Sequence, residues 1–184
     1  MSQESNTPTF DRDHWMCALE KVANDLGKEG PPVELCLIGS AACLFAGMEL
    51  RTTEDLDIWQ PASDFDFTEL KLATEKANIL FNPKGILAPQ KPYFQLVEPG
   101  IVQVGDFRPV RIFKTGRLII SRPPIENIIA SKLTRADAKD IEDIQFLQQH
   151  FQPNFAEIKN IISAFPQEKQ VIATENLIYL EILR

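Results

Sequence analysis

The stretch from Glu34 to Gln60, ELCLIGSAACLFAGMELRTTEDLDIWQ, constrains the fold more than any other part of the chain. Its apolar runs and small residues predict a strand, a tight bend, a short helix and a second strand in direct succession. These elements are a strand over about residues 33–38, the bend Gly39-Ser40, a helix over about 41–46 and a strand over 55–59. Any fold for this chain must place two strands around that bend.

Two carboxylates lie on the second of these strands. Because side chains alternate between the faces of a strand, Asp55 and Asp57 are expected to point the same way. Two acids on an otherwise apolar strand repel each other unless a positive charge lies between them. Oxygen-only ligands favour Mg²⁺ or Mn²⁺. We therefore expect Asp55 and Asp57 to bind a metal, and the alternative is a solvated edge strand with surface acids.

The bend between strand and helix supplies a different kind of group. Exposed N–H groups at the start of a helix bind phosphate, and Gly39 would let a phosphate approach closely. The hydroxyl of Ser40 can add a hydrogen bond. The alternative is an ordinary helix start, since serine is a common N-cap. Together with the acids, the bend indicates nucleotide chemistry.

Composition limits the classes of protein to which the chain can belong. The 184 residues are 44% hydrophobic and 24% charged, which is enough for a packed core, and the net charge of −7 argues against a basic surface for DNA or membrane. No signal peptide and no apolar run long enough to span a membrane is found, so we expect a soluble cytoplasmic protein without a membrane partner.

The reactive side chains do not point to another class of enzyme. Cys17, Cys36 and Cys43 form no CxxC pair, and we interpret them as reduced core thiols of a cytosolic protein. His14 and His150 are far apart in the sequence and have no evident partners for a Ser/His/Asp or Cys/His nucleophile.

The order of the predicted elements indicates an α+β (α/β) fold, with a mixed sheet and a C-terminal helical part. Strand signals stop at Pro123-Pro124, and helical periodicity continues from there. We predict an α/β core over residues 9–122 and a helical region over 123–184. The other predicted elements are a helix from Thr9 or Asp11 to about Leu26, a helix over 67–76, short strands near 79–80, 93–97, 101–104, 110–113 and 118–121, and helices beginning near 125 and 137.

Two charged residues are expected on inward faces of the C-terminal helices. Lys132 falls within the apolar stripe of one helix, and Asp140 lies on the apolar side of the next, with Asp143 nearer the rim. A buried cation and a buried anion either neutralise each other or bind a third charged group. A structural ion pair between the two helices therefore stands beside a role in binding.

These motifs resemble those of a known family. Gly39-Ser40, a helix and then Asp55-x-Asp57 is similar to the signature of the polymerase-β-type nucleotidyltransferase superfamily, and the local form GSAACLFAGMELRTTEDLDIW resembles its minimal toxin-antitoxin members, including the AbiE-type toxins. Lys132-Leu133 and Lys139-Asp140-Ile-Glu-Asp143 resemble the later motifs of that family, with Lys139 where arginine is common.

The resemblance implies a polymerase-β-like core and a site for Mg²⁺ or Mn²⁺ and a nucleoside triphosphate. Asp55 and Asp57 would hold the metal, and Gly39, Ser40 and Lys132 would contact the phosphates. Asp140 would orient Lys132 or take a proton from the acceptor hydroxyl, on a protein or an RNA. The resemblance also implies a toxin with a cognate antitoxin as partner.

One departure from the family pattern bears on activity. The superfamily supplies a third carboxylate from a later strand, and no position matches it cleanly. Asp106 is the best candidate, because it would share a face with the apolar residues of the strand predicted at 101–104, whereas Glu98 lies in a turn. If Gln103 occupies that position, a metal ligand is lost. A weakened domain that binds nucleotide or another protein is therefore the alternative function.

Overall fold

The computed structural model of the chain describes residues 10–84 and 91–182. It contains a six-stranded mixed sheet in the order β3-β4-β2-β1-β6-β5. β1 runs antiparallel to β2 and parallel to β6, while β4 runs parallel to both β2 and β3. The strands are β1 (Val33–Ile38), β2 (Asp55–Trp59), β3 (Leu80–Phe81), β4 (Tyr93–Val97), β5 (Val110–Thr115) and β6 (Leu118–Arg122).

Helices precede, interrupt and follow these strands. They are α1 (Arg12–Leu26), α2 (Gly39–Phe45), α3 (Phe67–Lys76), α4 (Ile125–Leu133), α5 (Ala138–Phe151), α6 (Phe155–Ser163), α7 (Gln167–Glu175) and α8 (Ile178–Ile182), with a 3-10 helix at Gln60–Ala62. The mixed sheet followed by C-terminal helices confirms the predicted α+β class.

The chain forms two compact units. The first comprises the described residues up to Val97 together with Arg111–Ser121, and the second comprises Glu98–Val110 and the described residues from Arg122 onward. The segment 98–110 therefore groups with the C-terminal helices, although the sequence placed it in the core region 9–122.

The first unit is built around an apolar face of the sheet. Along β2 and β4 the fully buried residues Leu56, Ile58 and Phe94 alternate with half-buried polar ones. α1 packs on this buried face, where the ring of Trp15 lies 6.3 Å from that of Phe94. The polar residues of both strands consequently lie on the other face of the sheet.

Capping and periodicity explain why α1 forms where it does. The Asp11 carboxylate accepts a hydrogen bond from the His14 N–H at 2.9 Å, which is a side-chain N-cap. The predicted stripe of α1 is buried: Trp15, Leu19, Val22 and Leu26. Thr9, the other candidate cap, lies outside the described residues.

The second unit is a set of packed helices. α4 packs against α5, α6 and α7, and α5 packs against α8. Buried isoleucine and leucine side chains form the contacts, including Ile129, Leu133, Ile144 and Leu147. Asp137 caps α5 by accepting the Asp140 N–H at 2.9 Å, so the predicted start of this helix is confirmed.

The strand predicted at 101–104 was wrong. This segment follows the turn at Gly100 and makes only one isolated bridge, between Pro99 and Val102. Ile101 is 71% exposed, whereas a paired strand on a core would bury it. The alternation of Val102 and Val104 was therefore misleading, because short apolar runs next to a turn need not pair with a sheet.

Candidate functional site

Asp55 and Asp57 lie on the half-buried face of β2 and point the same way, because the residues between and beyond them are in the core. Asp57 is opposite Ile38 at the end of β1 and opposite Gln95 on β4. Asp55 is opposite Tyr93. The site thus lies in the first unit, where β2 is flanked by β1 on one side and β4 on the other.

Gly39 follows β1 directly and lies against Asp57. Its backbone has φ +63°, in the left-handed region that favours glycine. A Cβ added at this position would lie 2.7 Å from Oδ2 of Asp57. Since real Cβ atoms essentially never approach an oxygen so closely, a side chain at position 39 would displace the Asp57 carboxylate from the bend. The predicted bend and the predicted metal-binding strand are therefore adjacent in the structure.

Two side chains from the loop before β2 hold this arrangement. Arg51 Nη2 donates a hydrogen bond to Ser40 Oγ at 3.1 Å, and Thr53 Oγ1 lies 3.1 Å from both Asp55 Oδ1 and the Asp55 carbonyl oxygen. Thr53 is buried, and its backbone bonds to Phe10 in both directions. These contacts orient a hydroxyl on the bend and a carboxylate on the strand.

The pKa of Tyr93 reflects the burial of its phenol and the negative charge of the nearby carboxylates. Burial raises the pKa of its phenol to about 12, with further contributions from the charge of Asp55 and from a hydrogen bond to that carboxylate. The charges of Glu54 and Asp57 add to the effect. The phenol thus stays protonated near neutral pH and can donate to Asp55. Sequence reasoning missed this residue, although the alternation of polar and apolar residues in YFQLV places it on the site face.

The donor set fits a divalent cation. Carboxylate, hydroxyl and amide oxygens are the groups that Mg²⁺ and Mn²⁺ prefer, and Asp55 and Asp57 supply two acids from one face. Over residues 10–84 and 91–182, no group of three or more His, Cys, Asp or Glu side chains is arranged to hold a metal ion. Any cation at Asp55 and Asp57 must complete its coordination with neutral groups, water or a substrate.

Lys132 and Asp140 lie together in the second unit. Lys132 Nζ donates to Asp140 Oδ1 at 2.9 Å and lies 2.6 Å from Asp143 Oδ2. All three residues are buried, and Asp143 is fully so, which makes its predicted place near the rim wrong. Arg135 adds two hydrogen bonds of 3.0 Å to Asp140. This is the ion pair between α4 and α5 that the sequence left open as an alternative.

Charge balance in this network is reflected in the pKa of Asp140. Burial raises the pKa of its carboxyl, but the hydrogen bonds and charges of Arg135 and Lys132 outweigh burial and bring the pKa below its ordinary value. Asp140 is therefore ionised at neutral pH and neutralises Lys132. Contact of Lys132 with nucleotide phosphates stays a prediction, as does a role of Asp140 toward the acceptor hydroxyl.

The residues considered for the third carboxylate position are Asp106, Glu98 and Gln103. Asp106 is exposed, and its backbone carbonyl accepts a bond from Asn127 Nδ2 at 3.2 Å. The prediction for Asp106 depends on a strand over 101–104, which does not form. Asp106, Glu98 and Gln103 all belong to the second unit. On β4, beside the acids of β2, the site face carries Tyr93 and Gln95.

Comparison with known proteins gives no relative. No protein-family model, no curated protein and no solved structure matches the chain. Among the helices that the structure describes, none combines the length and the apolar character needed to cross a membrane.

Proposed function

We propose that the chain is a Mg²⁺-dependent nucleotidyltransferase, which moves the nucleotidyl group of a nucleoside triphosphate to a hydroxyl group on a protein or an RNA. The observation that supports this most is the contact between Gly39 and Asp57. It puts a bend able to bind phosphate directly beside a pair of carboxylates able to bind a cation, and nucleotide polyphosphates carry both partners at once.

Each residue has a defined part in this proposal. Asp55 and Asp57 bind the cation through their carboxylate oxygens, and Thr53 and Tyr93 orient Asp55. Ser40, held by Arg51, donates its hydroxyl to a phosphate oxygen. When bound, Mg²⁺ neutralises charge on the reacting phosphate and on the pyrophosphate that leaves. A role as a toxin with a cognate antitoxin, and a cytoplasmic location, rest on the sequence alone and stay predictions.

A label-transfer assay tests this function. The purified protein is incubated with each α-labelled nucleoside triphosphate, Mg²⁺ and a cell extract, and labelled protein and RNA are separated. We expect label transfer by the wild type and loss of transfer in Asp55→Ala/Asp57→Ala. The matched control is Glu20→Ala/Asp25→Ala, which removes two exposed acids from α1 and should leave transfer unchanged. Absence of transfer with every nucleotide would contradict the proposal.

A second candidate is a domain that binds nucleotide or another protein without catalysis. This candidate is favoured because β4 carries Tyr93 and Gln95 opposite Asp55 and Asp57. An acidic residue at either position would complete a set of three carboxylates, and neither residue is acidic. This domain would bind a triphosphate without transferring label, and its affinity for the triphosphate would not depend on Mg²⁺.

A further inference from the structure

Gln95 is placed beside Asp57 by the register of the sheet. The two residues are paired between the parallel strands β4 and β2, so their side chains emerge on the same face about 5 Å apart. Gln95 is half-buried, like Asp55 and Asp57, while its neighbours Phe94 and Leu96 are in the core. Its side chain therefore extends over the same surface as the two carboxylates.

Hydrogen bonds to Asn82 determine which way the Gln95 amide faces. The backbone N–H of Leu96 donates to Asn82 Oδ1 at 3.2 Å, and a backbone N–H can only donate, so that Asn82 atom is an oxygen. The Gln95 atom 2.9 Å from the same oxygen must then be the amide nitrogen, Nε2. Nε2 also donates to the Leu96 carbonyl oxygen at 3.3 Å. Both amide hydrogens are thus used on this side.

The order of the strands in the sheet shows on which side of β4 the Gln95 amide nitrogen lies. Asn82 follows β3, which lies on one side of β4, and β2 with its acids lies on the other side. Since Nε2 lies on the Asn82 side, Oε1 is the atom of the amide that is left for a ligand on the site face. An amide that only filled space beside a carboxylate would present its N–H₂ group to that carboxylate. Here the N–H₂ group is turned toward Asn82 instead.

We propose that Gln95 Oε1 is the third protein ligand of a single divalent cation held by Asp55 and Asp57. The inference rests on the proposed function and specifies its metal site: two acids and one neutral carbonyl oxygen, with Asn82 as the positioning residue. Amide carbonyl oxygens are good ligands for Mg²⁺ and Mn²⁺. The site then carries two negative charges from these ligands, which suits one cation whose remaining positions are filled by water or phosphate oxygens.

Mn²⁺ titration of the purified full chain, followed by the electron paramagnetic resonance signal of free Mn²⁺, tests the ligand. We expect one Mn²⁺ per wild-type chain, affinity about tenfold weaker in Gln95→Leu, and affinity about tenfold tighter in Gln95→Glu, since ligand charge sets the affinity of such sites. Gln149→Leu, at an exposed position of α5, is the matched control and should bind as the wild type does. The weaker binding of Gln95→Leu is the result that requires the Gln95 amide as a ligand, because a carboxylate at position 95 would attract the cation in any case.

The positioning role of Asn82 has its own test. Asn82→Gly keeps a residue that tolerates φ +46° but removes the oxygen that holds Nε2, so the Gln95 amide can turn over. We expect weaker Mn²⁺ binding in Asn82→Gly and recovery in Asn82→Gly/Gln95→Glu, because a carboxylate presents an oxygen in either orientation.

The outcomes separate the two proposals. If wild type, Gln95→Leu and Gln95→Glu bind Mn²⁺ equally, while Asp55→Ala/Asp57→Ala does not bind, the role of Gln95 is overturned and the metal site of the proposed function stands. If Asp55→Ala/Asp57→Ala binds Mn²⁺ as the wild type does, the metal site itself is overturned and the role of Gln95 with it.

Discussion

Gly39→Ala tests the coupling between the bend and the metal-binding carboxylates. The new Cβ would lie 2.7 Å from Asp57 Oδ2, and alanine would have to adopt φ +63°. The left-handed backbone alone costs about 1–2 kcal/mol. For a chain of this size that cost lowers the melting temperature by about 2–8 °C. The collision adds a second effect, because the Asp57 carboxylate must move away from the bend.

Gly116→Ala is the matched control. Gly116 has φ +56°, close to that of Gly39, and the nearest atom to an added Cβ there would lie 4.0 Å away. The two variants therefore share a left-handed backbone and differ in the displacement of Asp57. We expect both to lose about 1–2 kcal/mol of stability. Only Gly39→Ala should lose Mn²⁺ affinity, by about tenfold, which is the lower end for disturbing the surroundings of a metal ligand.

Thermal unfolding in the absence of metal measures the loss of stability. Mn²⁺ titration measures the effect of displacing the Asp57 carboxylate. Equal Mn²⁺ affinity in Gly39→Ala and Gly116→Ala would refute the reasoning, because it would mean that the position of Asp57 against the bend does not matter for binding. A much larger loss of stability in Gly116→Ala than in Gly39→Ala would also refute it, since the collision is absent there.

Three further predictions concern the rest of the molecule. Lys132→Met removes the buried cation shared by Asp140 and Asp143 and should cost about 3–5 kcal/mol in denaturant unfolding, whereas exposed Lys139→Met should cost little. Because the pKa of Asp140 is lowered in the folded state, its contribution to stability is present above about pH 4 and is lost as the pH falls further. The free energy of unfolding, measured from pH 6 to 2.5, should therefore differ less and less between wild type and Asp140→Asn as the pH falls. A difference that stays constant over this range would contradict the prediction. Cys17 is exposed, so its interpretation as a core thiol was wrong, whereas Cys36 and Cys43 are buried. Burial also raises the pKa of Cys36 to about 11. The native protein should therefore release one equivalent of thionitrobenzoate with Ellman's reagent, and Cys17→Ser none.

Much of the first unit could be predicted because local signals and burial agree there. The strand at Val33–Ile38, the strand at Asp55–Trp59 and the helix capped by Asp66 all form as predicted. The strand at Val33–Ile38 ends at Gly39 and the helix begins at a capping side chain, so in both an apolar pattern coincides with a boundary signal. The adjacency of Gly39 and Asp57 could not be derived from periodicity, because it depends on the pairing of β1 with β2.

The predictions that were wrong concern features that depend on long-range strand pairing and on the burial of charged side chains. The apolar alternation at 101–104 has no partner strand, and sequence alone cannot supply one. Asp143 has the spacing of a rim residue, yet it is fully buried because Lys132 neutralises it. The place of Gln95 beside Asp57 depends on the register of β4 with β2, and the orientation of its amide depends on Asn82.

The most direct test of the account is a crystal structure with Mn²⁺ and a non-hydrolysable nucleoside triphosphate analogue, in which anomalous scattering locates the metal. The account predicts one Mn²⁺ bound by Asp55, Asp57 and the Gln95 side-chain oxygen, with phosphate oxygens at Gly39 and Ser40. Anomalous density elsewhere, with the Asp55 and Asp57 side chains in contact only with solvent, would contradict it.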